Sequence, residues 1–245
     1  MVRKVRPNQD GRIVKGKGFL YIPKYKLVYA RVPKCANTSI KSVLSGLVTT
    51  APTTNPRTSR VLEPTNDRFW KLCTTEAKFL KPDKYTARHK KVFCFTFIRE
   101  PLQRLRSCFQ EKVLRPSVFP AMERLGYSNQ MTFSEFIELT CELSLDSMDV
   151  HTQPQTFLIS DSKGKLPDFI GCIETLEKDW ERLNGLMRQR DIPFNPKLLH
   201  LNRSLNRPSD QSKLNCLPER VQRQFELTYG HDIQLHQKLT AAQLP

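Results

Sequence analysis

Apolar residues along the chain gather in short runs that polar and proline-rich segments separate. Two runs, 26–32 (KLVYARV) and 91–98 (KVFCFTFI), are rich in β-branched and aromatic residues and predict strands. The second run is apolar at almost every position, which is typical of a central parallel strand covered on both faces. A shorter run at 168–173 (DFIGCI) predicts a third strand.

Helical periodicity fills the intervals between these strands. In segment 38–47, apolar residues recur three and four positions apart, so that they share one helical face. Pro101 suits the first turn of a helix over 101–113. Further helices are predicted at 67–80, 132–143, 176–190 and 218–229. Alternation of strands and helices predicts an α/β sheet.

Two segments carry no such periodicity. Residues 1–24 form a basic N-terminal extension, and residues 48–66 contain three prolines and many threonines, which predicts a loop. The length of 245 residues fits one domain with its own core.

The charge balance narrows the class of partner. Lys and Arg number 40 against 24 Asp and Glu, and the net charge of +16 favours an anionic ligand. Nucleic acid, an anionic membrane, an acidic glycan and a phosphorylated cofactor all fit that charge. The sequence has no apolar run of about 18 residues and no secretory leader, so a native Met1 predicts a cytoplasmic protein. A truncated form of a membrane-anchored enzyme would belong to the Golgi lumen.

Seven cysteines occur at wide spacings, with no C-x-x-C pattern. The odd number and the spacing argue against a disulfide framework and against a thiolate zinc site. We therefore expect most of them to be small core residues, and we expect no metal.

The first candidate for chemistry is segment 31–40 (RVPKCANTSI). A strand leads through a short loop into a helix whose first turn holds Asn37, Thr38 and Ser39. The N–H groups at a helix amino terminus bind phosphate-like anions, and Lys34 adds a positive charge. The segment lacks the Walker glycines. Taken alone, an ordinary capped helix with a surface lysine explains it equally well.

The second candidate is segment 95–101 (FTFIREP), in which a buried strand ends at Arg99. Open α/β sheets bind ligands at the carboxyl ends of their strands. Ser107 follows eight residues later on the next helix and could help to grip a phosphate. An Arg at a strand end is more often a surface ion pair, so this segment alone is a weak indication.

Together, the two segments resemble the sulfotransferases that use 3′-phosphoadenosine-5′-phosphosulfate (PAPS), and most closely the carbohydrate sulfotransferases of the family 2 type. Three further segments resemble the same family in the same order: 149–155 (DVHTQPQ), 170–180 (IGCIETLEKDW) and 200–204 (HLNRS). The five segments span about 26–205. The resemblance implies a single sulfotransferase domain over 1–245. It also implies a P-loop-like three-layer α/β fold with a central, mostly parallel sheet flanked by helices.

The resemblance also implies roles for particular residues. Lys34 would neutralise the leaving phosphate, Arg99 and Ser107 would bind the 3′-phosphate, and no metal would be needed. The loop that holds the 5′-phosphosulfate would consist of Pro33, Lys34, Cys35, Ala36, Asn37, Thr38, Ser39 and Ile40. Asn202, Arg203 and Ser204 would lie near the nucleotide.

The general base is where the sequence departs from the family pattern. Related enzymes commonly place a His, or sometimes a Glu, some 20–25 residues before the 3′-phosphate Arg, and the corresponding residues here include no His. Glu76, 23 positions before Arg99, is slightly favoured by position, and His151 is the alternative. A solvated carboxylate and a structural histidine would explain the two residues equally well. A chain that binds PAPS but has lost the base is a further possibility.

The favoured function is sulfuryl transfer from PAPS to a hydroxyl of an acceptor. The resemblance favours a carbohydrate acceptor, and the net charge of +16 suits an anionic one. Segments 48–66 and 115–131 are the expected acceptor-side loops. A small metabolite is the alternative acceptor. A P-loop kinase lacks its glycines here, and a basic nucleic-acid-binding module lacks any recognisable signature.

Overall fold

A computed structural model describes residues 18–49, 54, 61–73, 75–81, 91–194, 197 and 214–241. These residues form two compact units. The sheet unit lies within Gly16–Phe97 and Ile159–Arg203, and the helical unit consists of Ile98–Leu158 and the described part of Ser204–Pro245. The single-domain organisation expected from the sequence stays a prediction.

Five described strands form one sheet in the order β3-β1-β2-β4-β5. They are β1 (Phe19–Ile22), β2 (Leu27–Ala30), β3 (Lys78–Leu80), β4 (Phe93–Ile98) and β5 (Phe169–Cys172). β1 is antiparallel to β2 and β3, whereas β2 and β4 are parallel, with Leu27 opposite Phe93. The Asp168 N–H donates to the Cys94 carbonyl at 2.8 Å, which joins the start of β5 to the start of β4. β2, β3 and β4 therefore run in one direction and β1 runs in the opposite one. The sheet is mixed but mostly parallel in strand direction, and the predicted α/β class is confirmed.

The described part of the chain also contains eight α-helices. In chain order they are α1 (Asn37–Leu44), α2 (Asp67–Leu72), α3 (Pro101–Cys108), α4 (Pro120–Glu123), α5 (Phe133–Glu142), α6 (Gln155–Ile159), α7 (Leu176–Arg188) and α8 (Glu219–Ala241). A π-helical turn, Phe109–Val113, continues α3. Short 3₁₀ turns occupy Pro23–Tyr25, Ser45–Leu47 and Leu214–Cys216.

The core of the sheet unit is built around β4, whose six residues are all buried. The Phe97 ring packs against the rings of Phe169 and Trp180, with centroids 6.0 and 5.8 Å away. A Cβ atom on Gly171 would lie 2.4 Å from the Phe97 ring, so only glycine fits this position of β5. The close packing over β4 is what its continuous apolar sequence predicts.

The helical unit has a separate core, in which α3, α5 and α8 contribute the buried side chains of Leu105, Phe136 and Phe225. The Tyr127 hydroxyl lies 2.8 Å from the Thr140 hydroxyl, so a buried polar pair is satisfied inside this core.

Two sequence predictions at the sheet edge were wrong. The helix predicted over 67–80 ends at Leu72, and Lys78–Leu80 is instead the strand β3. The basic extension predicted over 1–24 is too long, because Phe19–Ile22 forms β1. Both short segments are strands because β1 pairs with β2 on one side and with β3 on the other.

Other boundaries moved, and some elements were missed. α8 runs to Ala241, twelve residues beyond the predicted end, and the short helices α4 and α6 were not predicted. All seven cysteines are free and five are buried, which agrees with their predicted place in the core. In the part of the chain that the structure describes, no helix combines the length and apolarity needed to cross a membrane.

Candidate active site

The loop between β2 and α1 contains two residues with left-handed backbone conformations. Lys34 has φ 71° and Ala36 has φ 52°, and neither is a glycine. A left-handed conformation costs a residue with a Cβ about 1–2 kcal/mol, so the surrounding structure must hold it in place. The side chain of Cys35, between them, is fully buried and anchors the turn. Strain of this kind is often concentrated at binding sites.

The amino terminus of α1 has no side-chain cap, because Ala36 occupies the N-cap position. Its first-turn N–H groups and its positive dipole end are therefore suited to an anion. The amino terminus of α3 differs, because the Glu100 carboxylate accepts from Leu102 N and Gln103 N at 3.0 and 2.7 Å. A carboxylate of the chain itself thus fills the anion position at α3.

Behind the loop lies a charged cluster that sequence reasoning missed. The Arg31 guanidinium donates to both Asp67 carboxylate oxygens, at 2.9 and 3.2 Å, and its Nε donates to Asn37 Oδ1 at 3.4 Å. The Lys41 ammonium, whose side chain is 3% exposed, lies 3.0 Å from the same carboxylate and donates to the Thr65 carbonyl. Asp67 thereby joins Arg31, the residue after β2, to Lys41 in the last turn of α1.

The electrostatics of this cluster follow from its burial. Burial raises the pKa of Asp67, but the charges and hydrogen bonds of Arg31 and Lys41 outweigh it and hold that pKa below its usual value. Burial also lowers the pKa of Lys41, against the attraction of Asp67. Lys41 is therefore a buried cation that depends on this carboxylate.

Arg99 follows β4 and belongs to the helical unit, where the Gln155 side chain holds its backbone. Gln155 Oε1 accepts from the Arg99 N–H at 3.0 Å, and Gln155 Nε2 donates to the Arg99 carbonyl at 2.7 Å. Among the described residues, nothing forms a hydrogen bond or an ion pair with the Arg99 guanidinium. The backbone is thus fixed while the charged group remains available.

Ser107 lies half-buried on α3, the same helix that carries Arg104. Arg104 is 1% exposed, and its guanidinium donates to the Gln153 carbonyl at 2.8 Å and to the Val150 carbonyl at 3.3 Å. This buried arginine therefore ties the segment around residues 149–155 to α3.

His151 and Asp149 form a hydrogen-bonded pair in that segment. His151 Nδ1 lies 2.6 Å from Asp149 Oδ1, and the His151 N–H donates to the same oxygen at 2.9 Å. Burial raises the pKa of Asp149, but the hydrogen bonds from His151 and the charge of Lys112 outweigh it and hold that pKa below its usual value. An ionised carboxylate only accepts, so Nδ1 is the donor in this pair; in the neutral form of an imidazole held in this way, Nε2 carries the lone pair.

The Glu76 carboxylate is already engaged in the sheet unit. It accepts from the Thr49 N–H at 2.9 and 3.0 Å and from the Thr49 hydroxyl at 2.7 Å. These bonds fasten the chain just after α1 to the turn before β3. They give Glu76 a structural role, and its suggested role as the base stays a prediction.

The predicted residues are divided between the two units. Lys34 and the first turn of α1 belong to the sheet unit, whereas Arg99, Ser107 and His151 belong to the helical unit. Asn202, Arg203 and Ser204 lie outside the described residues. The Asp149–His151 pair was within reach of the sequence, since both residues stand in one short motif. The partners Asp67 and Gln155 had no local signal.

The fold agrees with a comparison against protein families. A model of the sulfotransferase family matches residues 17–238, which is most of the chain and spans both units. The chain therefore belongs to the sulfotransferase family, whose members transfer sulfuryl groups. Searches among curated proteins and among solved structures found no match.

Proposed function

We propose that this chain transfers the sulfuryl group of PAPS to a hydroxyl of a carbohydrate acceptor. The observation that carries the proposal is the loop after β2, where two strained residues lead into the uncapped amino terminus of α1. Such a terminus suits the 5′-phosphosulfate end of the donor. Membership of the sulfotransferase family supports the reaction type.

Lys34 and the first turn of α1 act on the leaving group in this proposal. As the bond between sulfur and the bridging phosphate oxygen breaks, negative charge grows on that phosphate. A lysine and N–H groups already in position stabilise the charge without reorganisation. The asparagine and hydroxyl side chains of Asn37, Thr38 and Ser39 add donors to the same phosphate.

Arg99 and Ser107 bind the 3′-phosphate in this proposal. Arg99 comes directly after β4, and parallel strands of an open sheet present ligand sites at their carboxyl ends. Among the described residues, none forms a hydrogen bond or an ion pair with its guanidinium, which is therefore available to bind a phosphate. A planar, permanently charged fork is well suited to a phosphate dianion.

His151 is the base that we propose. Nε2 accepts the proton of the acceptor hydroxyl as the new bond forms between that oxygen and sulfur, and Asp149 holds the ring through Nδ1. Glu76 is second, because its carboxylate already accepts three hydrogen bonds from Thr49. The Lys112 ammonium, 4.8 Å from the centroid of the Phe119 ring, supports an anionic acceptor on the same side as His151, whose ring is 6.2 Å from Phe119.

The experiment that tests the donor is a calorimetric titration with adenosine 3′,5′-bisphosphate, the product of the transfer. We expect this ligand to bind more tightly than adenosine 5′-phosphate or ATP. At about 100 times its dissociation constant it should stabilise the fold by about 2.7 kcal/mol. Equal or tighter binding of ATP would contradict the proposal and favour a kinase.

The Arg99→Ala variant tests whether Arg99 binds the 3′-phosphate. We expect it to weaken bisphosphate binding by about 1.5–3 kcal/mol, the worth of hydrogen bonds to a charged group, and to leave adenosine 5′-phosphate binding unchanged. Arg223→Ala is the matched control, since Arg223 lies on α8 of the same unit with its side chain 71% exposed. Equal losses for both ligands would exclude this role for Arg99.

A further inference from the structure

We propose that Gln155 is a positioning residue for the 3′-phosphate, acting through Arg99 without touching the nucleotide. The inference rests on the proposed function, because it assigns a support to the arginine that would bind that phosphate. It concerns only residues of the helical unit.

The first step is the position of Arg99 in the fold. β4 ends at Ile98, and α3 begins at Pro101. The Arg99 backbone therefore lies beyond the last strand residue and before the first helical one, where regular hydrogen bonding is interrupted. Without another partner, this peptide would be free to change its orientation, and the guanidinium would move with it.

Gln155 supplies that partner. Its amide accepts from the Arg99 N–H at 3.0 Å and donates to the Arg99 carbonyl at 2.7 Å, as the backbone of a neighbouring strand would. The two bonds fix the peptide planes on both sides of the Arg99 Cα atom. Because Gln155 is fully buried, water does not compete for these bonds.

Gln155 is itself held by α8. The Asp232 carboxylate, 1% exposed, accepts from the Gln155 N–H at 2.6 Å and from the Thr156 N–H at 2.8 Å. The Thr156 hydroxyl donates to it as well, at 2.7 Å. Tyr229, one turn earlier on α8, donates through its hydroxyl to the Thr152 carbonyl at 2.6 Å. The glutamine thus presents its amide to Arg99 from a rigid support.

The expected effect is specific to one phosphate. A side chain that binds a ligand needs neighbouring residues that hold its position, and a shift of about 1 Å can remove much of its contribution to binding. We expect Gln155→Met to weaken adenosine 3′,5′-bisphosphate binding about ten-fold, which is less than the loss expected from removing the Arg99 side chain itself. Adenosine 5′-phosphate binding should stay the same.

The test measures the dissociation constants of adenosine 3′,5′-bisphosphate and adenosine 5′-phosphate by calorimetry. The ratio of the two constants is then compared among variants. Gln153→Met is the matched control, because Gln153 is buried in the same segment and its Nε2 donates to the Leu145 carbonyl at 2.9 Å. This control should lower the melting temperature but leave the ratio at the wild-type value. An unchanged ratio in Gln155→Met, or an equal change in Gln153→Met, would overturn the inference.

Two further variants separate the possible outcomes. Gln155→Glu keeps the shape, and burial favours its neutral form, which can still accept from the Arg99 N–H and donate to the Arg99 carbonyl, so the ratio should stay closer to the wild-type value than in Gln155→Met. If Gln155 acts through Arg99, then Gln155→Met should not change the ratio further in an Arg99→Ala background. A wild-type protein that binds both nucleotides equally would refute the proposed function itself, before any variant is made.

Discussion

The cluster behind the β2–α1 loop allows a quantitative prediction for Asp67→Asn. This change removes the negative charge that the Arg31 guanidinium and the Lys41 ammonium share. Lys41 would then keep the Thr65 carbonyl as an acceptor but would be a buried cation without its carboxylate. The expected result is a loss of stability.

The size of that loss follows from burial. Removing one partner of a fully buried ion pair costs about 3–5 kcal/mol. The Asp67 side chain is 38% exposed, so solvent screens part of the interaction and we expect about 2 kcal/mol. For a chain of this length, that corresponds to a fall in melting temperature of about 4–8 °C.

The loss of stability in Asp67→Asn should become smaller as the pH falls. The fold holds the pKa of Asp67 below its usual value, so its contribution is complete above the ordinary carboxyl pKa of about 3.9 and is lost as the pH falls through the native value. The difference in stability between wild type and Asp67→Asn should therefore narrow as the pH falls below about 3.9.

The assay is thermal unfolding of both proteins at pH values above and below about 3.9. Glu219→Gln is the control, because Glu219 pairs with Arg223 on the surface of α8 and both side chains are over 70% exposed. Its melting temperature should match wild type at neutral pH. Adding Lys41→Met to Asp67→Asn should restore part of the stability. If Asp67→Asn unfolds like the control, or if the difference is constant with pH, the reasoning is refuted.

Two predictions concern the transfer rate. Lys34→Ala should lower the rate about 10²–10³-fold while changing bisphosphate affinity much less, because Lys34 acts on the leaving group, and an unchanged rate would exclude that role. His151→Asn should lower the rate by about 10²–10⁴-fold and by more than Glu76→Gln does, measured with labelled donor at saturation. The opposite order would assign the base to Glu76.

The sheet shows where local sequence is sufficient. β4 and β2 were predicted because the sequence runs that contain them, 91–98 and 26–32, are eight and seven residues long, and α1 because its apolar residues follow one helical face. β1 and β3 are four and three residues long and have no longer apolar run around them, so no periodicity can be read there. Residues 78–80 became a strand through pairing with β1, almost 60 positions earlier in the chain.

In the candidate site, too, some features follow from local sequence and others only from the folded structure. The sequence by itself indicated the loop after β2, Arg99 and His151 as candidate site residues, because each of these signals lies within a few consecutive residues. Tertiary structure alone decided what supports them. Asp67 meets Arg31 across 36 positions, and Gln155 meets Arg99 across 56. Contacts of that separation arise only when the chain has folded, since burial and hydrogen bonding select partners in space.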